Sequence, residues 1–193
     1  GLSNNVTADS TANSVAVAVS GFGYGVALTN STAHARASGI DSGAGDDIVL
    51  NDSDITSRAN TDARDVAVTA QLAGSALAGS IDWDGETGSV ATANGIALGD
   101  DMSISSGVVT VNADADADSN SVAISLVGVA AGVADTSSEA NAVGFDAGDG
   151  NDVVQNTGSL VVTSLSDATG RSLGGGLVGV GLSSAAAEAT SNA

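Results

Sequence analysis

Two short Gly/Asp turns contain the residues of this sequence that are best suited to chemistry. One spans 42–47 (Ser-Gly-Ala-Gly-Asp-Asp), the other spans 147–152 (Ala-Gly-Asp-Gly-Asn-Asp), and an apolar segment follows each. Aspartate favours turns, and its carboxylate is a ligand for hard cations such as Ca²⁺. A shorter acidic segment, 99–101 (Gly-Asp-Asp), stands between them in the chain. The pattern therefore predicts cation binding at recurring turns.

Extended by three residues, the two full turns fit the nonapeptide G-G-x-G-x-D-x-U-x except at its first place, where Ser42 and Ala147 stand. They resemble the calcium-binding turns of RTX proteins. The resemblance implies that glycines shape loops with inward carbonyl groups and that Asp47 and Asp152 contribute carboxylates. Adjacent turns would share an ion, since Ca²⁺ takes six to eight oxygen ligands. The candidate metal residues are Gly43, Gly45, Asp46, Asp47, Asp100, Asp101, Gly148, Asp149, Gly150 and Asp152.

The sequence departs from that family in two respects. RTX proteins repeat the nonapeptide in tandem, whereas here the full turn occurs once per long repeat, and the middle segment lacks part of the loop. Gly-Asp turns also make good corners without any metal. A purely structural turn is therefore the alternative to a calcium site.

A long internal repeat organises the chain. Its starts at 39–41, 95–97 and 144–146 (Gly-Ile-Asp, Gly-Ile-Ala and Gly-Phe-Asp) are separated by 56 and 49 residues. We divide one repetitive domain, 1–193, into the units 1–38 (partial), 39–94, 95–143 and 144–193. Repeats of this length are typical of solenoids, propellers and arrays. Both ends of the sequence interrupt the pattern, so we expect it to be cut from a longer array.

Strands rather than helices are predicted within the units. Val and Ala alternate in long segments such as 15–23 and 66–79, and period-two alternation indicates β-strands. An interior of Ala, Gly and Ser predicts sheets that approach closely. The predicted fold is all-β, a parallel β-solenoid (β-helix-like or β-roll-like) built from repeats of ~50 residues. Stacked antiparallel β-hairpins are the alternative, and the sequence leaves open whether each unit forms one large coil or two smaller ones.

The charge balance restricts the partners of this chain. Its 193 residues include 23 acidic and 4 basic residues, for a net charge of −19, and no cysteine or proline. Such a charge disfavours nucleic acid and anionic membranes as partners and favours cations. No apolar run is long enough to predict a membrane-spanning segment.

Aspartates outside the turns also recur. Aligning the units by their long alternating segments places Asp9, Asp62, Asp116 and Asp167 in one predicted column. The column is either a solvated corner or a second set of ion ligands, because adjacent carboxylates repel one another unless they bind cations or face water. Separately, the alternating aspartates of 114–118 predict a solvated strand face over an alanine-lined interior.

Catalytic patterns are not found in the sequence. His34, the single histidine, has neither a nucleophile motif nor a metal-ligand cluster nearby, and we interpret it as an ordinary strand residue. The segment 82–87, which contains Trp83, predicts a projecting hairpin tip or a loop that contacts carbohydrate. We therefore expect that the chain is not an enzyme.

The whole pattern is similar to the Ala/Val/Gly/Thr-rich β-strand-repeat arrays of giant bacterial surface and adhesin-like proteins. The resemblance implies an extracellular structural module of a bacterial surface filament, sheath or adhesin stalk, stiffened by Ca²⁺. Its partners would be like repeats or copies of itself, associated head to tail, without nucleic acid or membrane insertion. A carbohydrate- or surface-binding adhesion module is the first alternative, and a polysaccharide-acting β-helix enzyme is the second.

Overall fold

The computed structural model describes residues 2–80, 88–99, 102–149 and 151–193, and among them it contains strands and no helix. Residues that alternate between small or β-branched side chains and polar ones favour this extended backbone. The all-β prediction is confirmed. The predicted projecting segment at 82–87 lies outside the described residues. The strands are β1 Ser3–Thr29, β2 Ala33–Asp41, β3 Ile48–Asn51, β4 Asp54–Ser80, β5 Ser89–Ala97, β6 Met102–Ser105, β7 Val109–Asp146, β8 Val153–Asn156 and β9 Leu160–Asn192.

All ladders among these strands are parallel. The long strands pair in the order β1-β4-β7-β9, while β2 pairs with β5, β5 pairs with the second half of β7, and β3-β6-β8 form a separate short sheet. Ser3 lies opposite Asp54, an offset of 51 residues, and Val109 lies opposite Leu160, again 51 residues along the chain. The arrangement is β-solenoid-like, and the alternative of stacked antiparallel hairpins is wrong for the described strands.

Each circuit of the chain, here called a coil, is flattened because its long strand folds back on itself. In the second coil the chain bends at Gly74, where φ is +126°. Thr69 Oγ1 then donates a hydrogen bond to the Leu77 carbonyl oxygen at 2.7 Å, and Ser89 Oγ donates to Thr61 Oγ1 at 2.6 Å. The outgoing and returning halves therefore face each other across a thin interior, and β6 closes the coil at the other end. Successive ladder partners are separated by one large coil rather than by two smaller ones.

Four glycines with positive φ form the bends, and they are ladder partners of one another: Gly23 (φ 102°), Gly74 (φ 126°), Gly128 (φ 134°) and Gly179 (φ 143°). A Cβ atom at Gly74 would overlap the carbonyl oxygen of Gly23, and a Cβ atom at Gly128 would overlap that of Gly74. Glycine is required here because other residues resist positive φ and because neighbouring backbones approach too closely for a side chain.

The interior is lined mainly by alanine, as the composition predicts. Fully buried alanines from both halves of the coil, such as Ala59, Ala91 and Ala113, form the largest core cluster. Larger apolar side chains are buried near the end where the short strands lie, with Ile55 and Ile96 at the centre of that cluster. A thin, small-residue core lets the two halves of each coil approach closely.

The glycines that start the sequence repeat have a packing role. Gly39, Gly95 and Gly144 occupy equivalent places, because the residues on either side of them are ladder partners. A Cβ atom at Gly95 would lie 2.7 Å from Val109 Cγ1, and one at Gly144 would lie 2.7 Å from a Leu160 methyl group. These glycines leave room for the large side chains across the interior, and the unit boundaries drawn at them stay a prediction.

Candidate functional site

The predicted turns stack along one edge of the molecule. This turn edge comprises the described residues of the segments 41–47, 97–101 and 146–152. The Ser42 amide donates to the Ala97 carbonyl oxygen at 3.1 Å, and the Leu98 amide donates to the Asp146 carbonyl oxygen at 2.7 Å. The short strands that follow continue the same stack, with Ile48 opposite Met102. The prediction that the three turns share an edge is confirmed for their described residues.

Three glycines of the turn edge adopt the positive φ that tight Gly/Asp turns use. Gly43, Gly45 and Gly148 have φ of 82°, 140° and 74°. The carboxylate of Asp41 accepts a hydrogen bond from the Gly43 amide at 3.1 Å, and that of Asp146 accepts one from the Gly148 amide at 3.3 Å. These two aspartates, which the sequence analysis did not select, shape the turns, because an aspartate that binds the amide two residues ahead fixes a tight loop.

The donor chemistry of the turn edge fits a hard cation, since it offers carbonyl and carboxylate oxygens. A Cβ atom at Gly99 would lie 2.5 Å from the Gly43 carbonyl oxygen, so neighbouring turns bring carbonyl groups close to each other's glycines. Asp46, Asp47 and Asp149 are exposed and Asp152 is half-buried. Within the described ranges, no group of three or more His, Asp or Glu side chains is close enough together to hold a metal ion. The candidates Asp100, Asp101 and Gly150 lie outside those ranges.

The predicted aspartate column is correct for three of its four members. Asp62 lies opposite Asp116, and Asp116 lies opposite Asp167. The placement of Asp9 is wrong, because Asp9 lies opposite Asn60, whose amide nitrogen donates to the Asp9 carboxylate at 2.7 Å. Pairing with Asn60 gives Asp9 an uncharged neighbour in place of another carboxylate.

Electrostatic repulsion acts within the remaining column. Burial raises the pKa of the Asp116 carboxyl above its usual range, and the negative charges of Asp118, Asp62 and Asp167 raise that pKa further. The nearby Arg64 guanidinium partly opposes this rise, and its Nη2 atom lies 2.9 Å from Asp62 Oδ2. The column is a partly solvated row of carboxylates with one arginine beside it.

The face predicted at 114–118 is confirmed. Asp114 is exposed and Asp116 is half-buried, whereas Ala113, Ala115 and Ala117 are at most 1% exposed. His34 lies on β2 with an exposed side chain, as expected for an ordinary strand residue.

Sequence analysis missed a buried carboxylate in the coil interior. Asp65 is 7% exposed and accepts hydrogen bonds from the Ser31 amide at 3.3 Å, Ser31 Oγ at 2.6 Å and Ser80 Oγ at 2.9 Å. These residues line a small polar cavity of about 10 Å³, which is room for about one water molecule. The alternation along β4 could have revealed this residue. Asp65 occupies the same inward-facing set of alternate positions as the buried Ala63 and Ala67.

Comparison with known proteins identified no related protein. No protein-family model matches the chain, and searches of curated proteins and of solved structures gave no significant match. In the part of the chain that the structure describes, no helix is long and apolar enough to cross a membrane.

Proposed function

We propose that this chain is an extracellular structural repeat module, a stiff segment of a bacterial surface filament, sheath or adhesin stalk. The observation that carries the proposal is the register of the long strands. Ser3, Asp54, Val109 and Leu160 begin equivalent stretches that pair in parallel, one coil on the next. Each coil therefore offers the following coil the same backbone edge, and such a stack can be lengthened without a change in its cross-section.

Unpaired strand edges also favour a structural role. Among the described strands, β1 pairs on one side with β4, and β9 pairs on one side with β7. A strand with an unpaired edge is a template for another parallel strand. We propose that further like coils, in one chain or in a second copy associated head to tail, cover these edges. Contacts of this kind that do not close into a ring produce open filaments.

Calcium would stiffen the stack at the turn edge. The residues proposed to contribute are Asp47 and Asp152 together with carbonyl groups of the stacked turns, such as that of Gly43. Support comes from the positive φ of the turn glycines and from the oxygen-only donor chemistry. When bound, Ca²⁺ would neutralise part of the net charge of −19 and connect successive coils.

Lengthening the chain tests the structural proposal. Copies of residues 142–192 are added after Asn192, which preserves the offset of 51 residues between β7 and β9. Each copy should lengthen the particle by ~4.8 Å at constant cross-section, measured by small-angle X-ray scattering in Ca²⁺ and in EGTA. A chain lengthened by the same number of residues, with the sequence of 142–192 scrambled in the added part, is the control. Added copies that form separate lobes or a disordered tail would contradict the proposal.

A further inference from the structure

Charge is absent from one end of every coil. The arch end, defined as residues 15–29, 66–80, 122–134 and 173–187 around the four bend glycines, contains no Asp, Glu, Lys, Arg or His. The chain nevertheless has 23 acidic residues. In the described ranges, the acidic residues lie in the turn edge, between strands or on the parts of the strands outside the arch end. The four segments are ladder neighbours, so the uncharged surface is continuous across the stack.

The larger apolar side chains of the arch end point outward, while alanines fill its interior. Buried alanines such as Ala67 and Ala123 form the internal cluster. On the outside, Ile124 is 46%, Leu126 43% and Leu72 49% exposed. These residues belong to β4 and β7, each of which has a ladder partner on both sides, so their exposure does not result from an open sheet edge.

Both outer faces and the tip of the arch end share this character. On the returning half, Val129 is 41% exposed and lies between Ser75 and Val180 in the ladder. At the tip, Val127 is 51% exposed and lies opposite Ala73. The largest contiguous apolar patch on a monomeric protein is often functional, and it measures about 300–600 Å² on a typical one.

We infer that the arch end is a lateral interface that binds the arch end of a second copy of this chain. Charge decides the occupant. A partner for an uncharged apolar face must itself be uncharged and apolar, and two copies with a net charge of −19 repel each other wherever their acidic surfaces meet. Contact through the arch ends directs the turn edges away from each other. The outgoing half of β4 spans ~60 Å from the turn edge to the bend, far beyond the screening length of ~8 Å.

The area of the arch end determines how strongly two copies are expected to associate. One outer face of the arch end measures ~20 Å along the strands and ~19 Å across four coils, or roughly 400 Å². A stable complex buries about 800 Å² on each partner. The chain of 193 residues should therefore pair weakly, and added copies of residues 142–192 should strengthen the pairing because each contributes another arch segment. This lateral contact does not depend on the head-to-tail stacking proposed above.

Sedimentation velocity across a wide concentration range, in EGTA to remove any effect of calcium, tests the inference. We expect reversible dimers that tighten with each added copy. Ile124→Glu and Val129→Glu each add a charge to one of the two outer faces. The variant on the face that pairs should weaken the association by at least ~tenfold without changing the circular dichroism spectrum. Asn112→Glu is the matched control, because it adds the same charge on β7 outside the arch end and should leave the association unchanged.

Cross-linking distinguishes lateral from head-to-tail contact. The chain has no cysteine, so Leu126→Cys should allow a bifunctional thiol reagent to join two copies, whereas Ala44→Cys on the turn edge should not. A chain that stays monomeric at all concentrations and after lengthening would overturn the inference. So would association that Ala44→Cys captures and that both Ile124→Glu and Val129→Glu leave intact, or binding to neutral lipid vesicles or polysaccharide without self-association.

Discussion

Asp65 and Ser119 are ladder partners that both face the coil interior, yet only one of them is satisfied. The Asp65 carboxylate accepts three hydrogen bonds from Ser31 and Ser80, whereas the buried Ser119 hydroxyl has no hydrogen-bond partner in the described structure. A buried polar group without a partner costs free energy, and a fully partnered one ties together the segments that supply its donors. Asp65 therefore joins the two halves of its own coil through Ser80 and joins that coil to the preceding one through Ser31.

Substitution of the two residues should have opposite effects on stability. Asp65→Ala removes the acceptor of the buried Ser31 amide and hydroxyl and leaves Ser80 Oγ with the Asp135 carbonyl oxygen alone. We therefore expect it to lower the free energy of unfolding by at least about 2 kcal/mol. Ser119→Ala removes an unpartnered hydroxyl and should leave stability unchanged or raise it. Urea denaturation followed by circular dichroism measures both. Equal destabilisation by the two variants would show that the Asp65 hydrogen bonds do not stabilise the coil.

The bend glycines provide a second test. Gly128→Ala forces a side chain into positive φ and against the Gly74 carbonyl oxygen, and we expect a loss of about 2 kcal/mol or more. Gly175 is the matched control, because it lies in the same region and an added Cβ atom meets nothing within 4 Å. Thermal unfolding of Gly128→Ala and Gly175→Ala should differ by several degrees. A Gly128→Ala chain that melts with the parent would refute the steric account of the bend.

The sequence predicts which side chains face inward better than it predicts the register of neighbouring coils. Asp9 was aligned with Asp62, but it lies opposite Asn60, two residues away. A shift of two residues keeps every side chain on the same face of the strand, so alternation is equally satisfied by both registers. Because the interior is lined by small alanine side chains, packing there distinguishes poorly between the two registers.

Contacts between the two halves of a coil were also hidden from the sequence. Alternation with Ala63 and Ala67 places Asp65 inside, but its partners Ser31 and Ser80 are supplied by other segments of the chain. The turn edge was predictable because its glycines and aspartates act locally. The apolar outer surface of the arch end was missed because alternation separates the two faces of a strand but does not show which face is buried when both contain apolar residues.

Burial of Asp116, together with repulsion by its acidic neighbours, makes the stability of the folded chain depend on pH. Its pKa is raised above the usual value of 3.8 in the folded state. The folded chain therefore binds that proton more tightly than the unfolded chain. This contribution is fully present below pH 3.8 and is lost as the pH rises through the raised pKa.

Asp116→Asn, which removes the charge, should raise the melting temperature by about 2 °C at neutral pH and give no gain below pH 3.8. Glu188→Gln is the control for net charge, since Glu188 lies on β9 opposite the uncharged Ser137. Differential scanning calorimetry at several pH values measures the effect. An Asp116→Asn gain that is matched by Glu188→Gln, or that persists in acid, would contradict burial and local repulsion of the Asp116 charge as its cause.

Calcium binding at the turn edge is the prediction that bears most directly on the proposed function. A ligand that binds the folded chain alone stabilises it by mass action, by about 2.7 kcal/mol at a free concentration one hundred times its dissociation constant. We expect Ca²⁺ to raise the melting temperature and EGTA to lower it. Mg²⁺ should have a smaller effect, because it requires a more rigid octahedral shell.

Asp47→Ala and Asp152→Ala should blunt the calcium response, because each removes a carboxylate from the turn edge. Asp118→Ala removes the same charge from the strand face that lies away from that edge, so it should keep the full response. Melting curves of the parent and the three variants, each recorded in Ca²⁺ and in EGTA, separate loss of a ligand from loss of charge. If the parent melts at the same temperature in both buffers, the turns are structural corners. An equal response in Asp118→Ala and Asp47→Ala would place the binding of Ca²⁺ in the diffuse charge of the chain rather than at the turns.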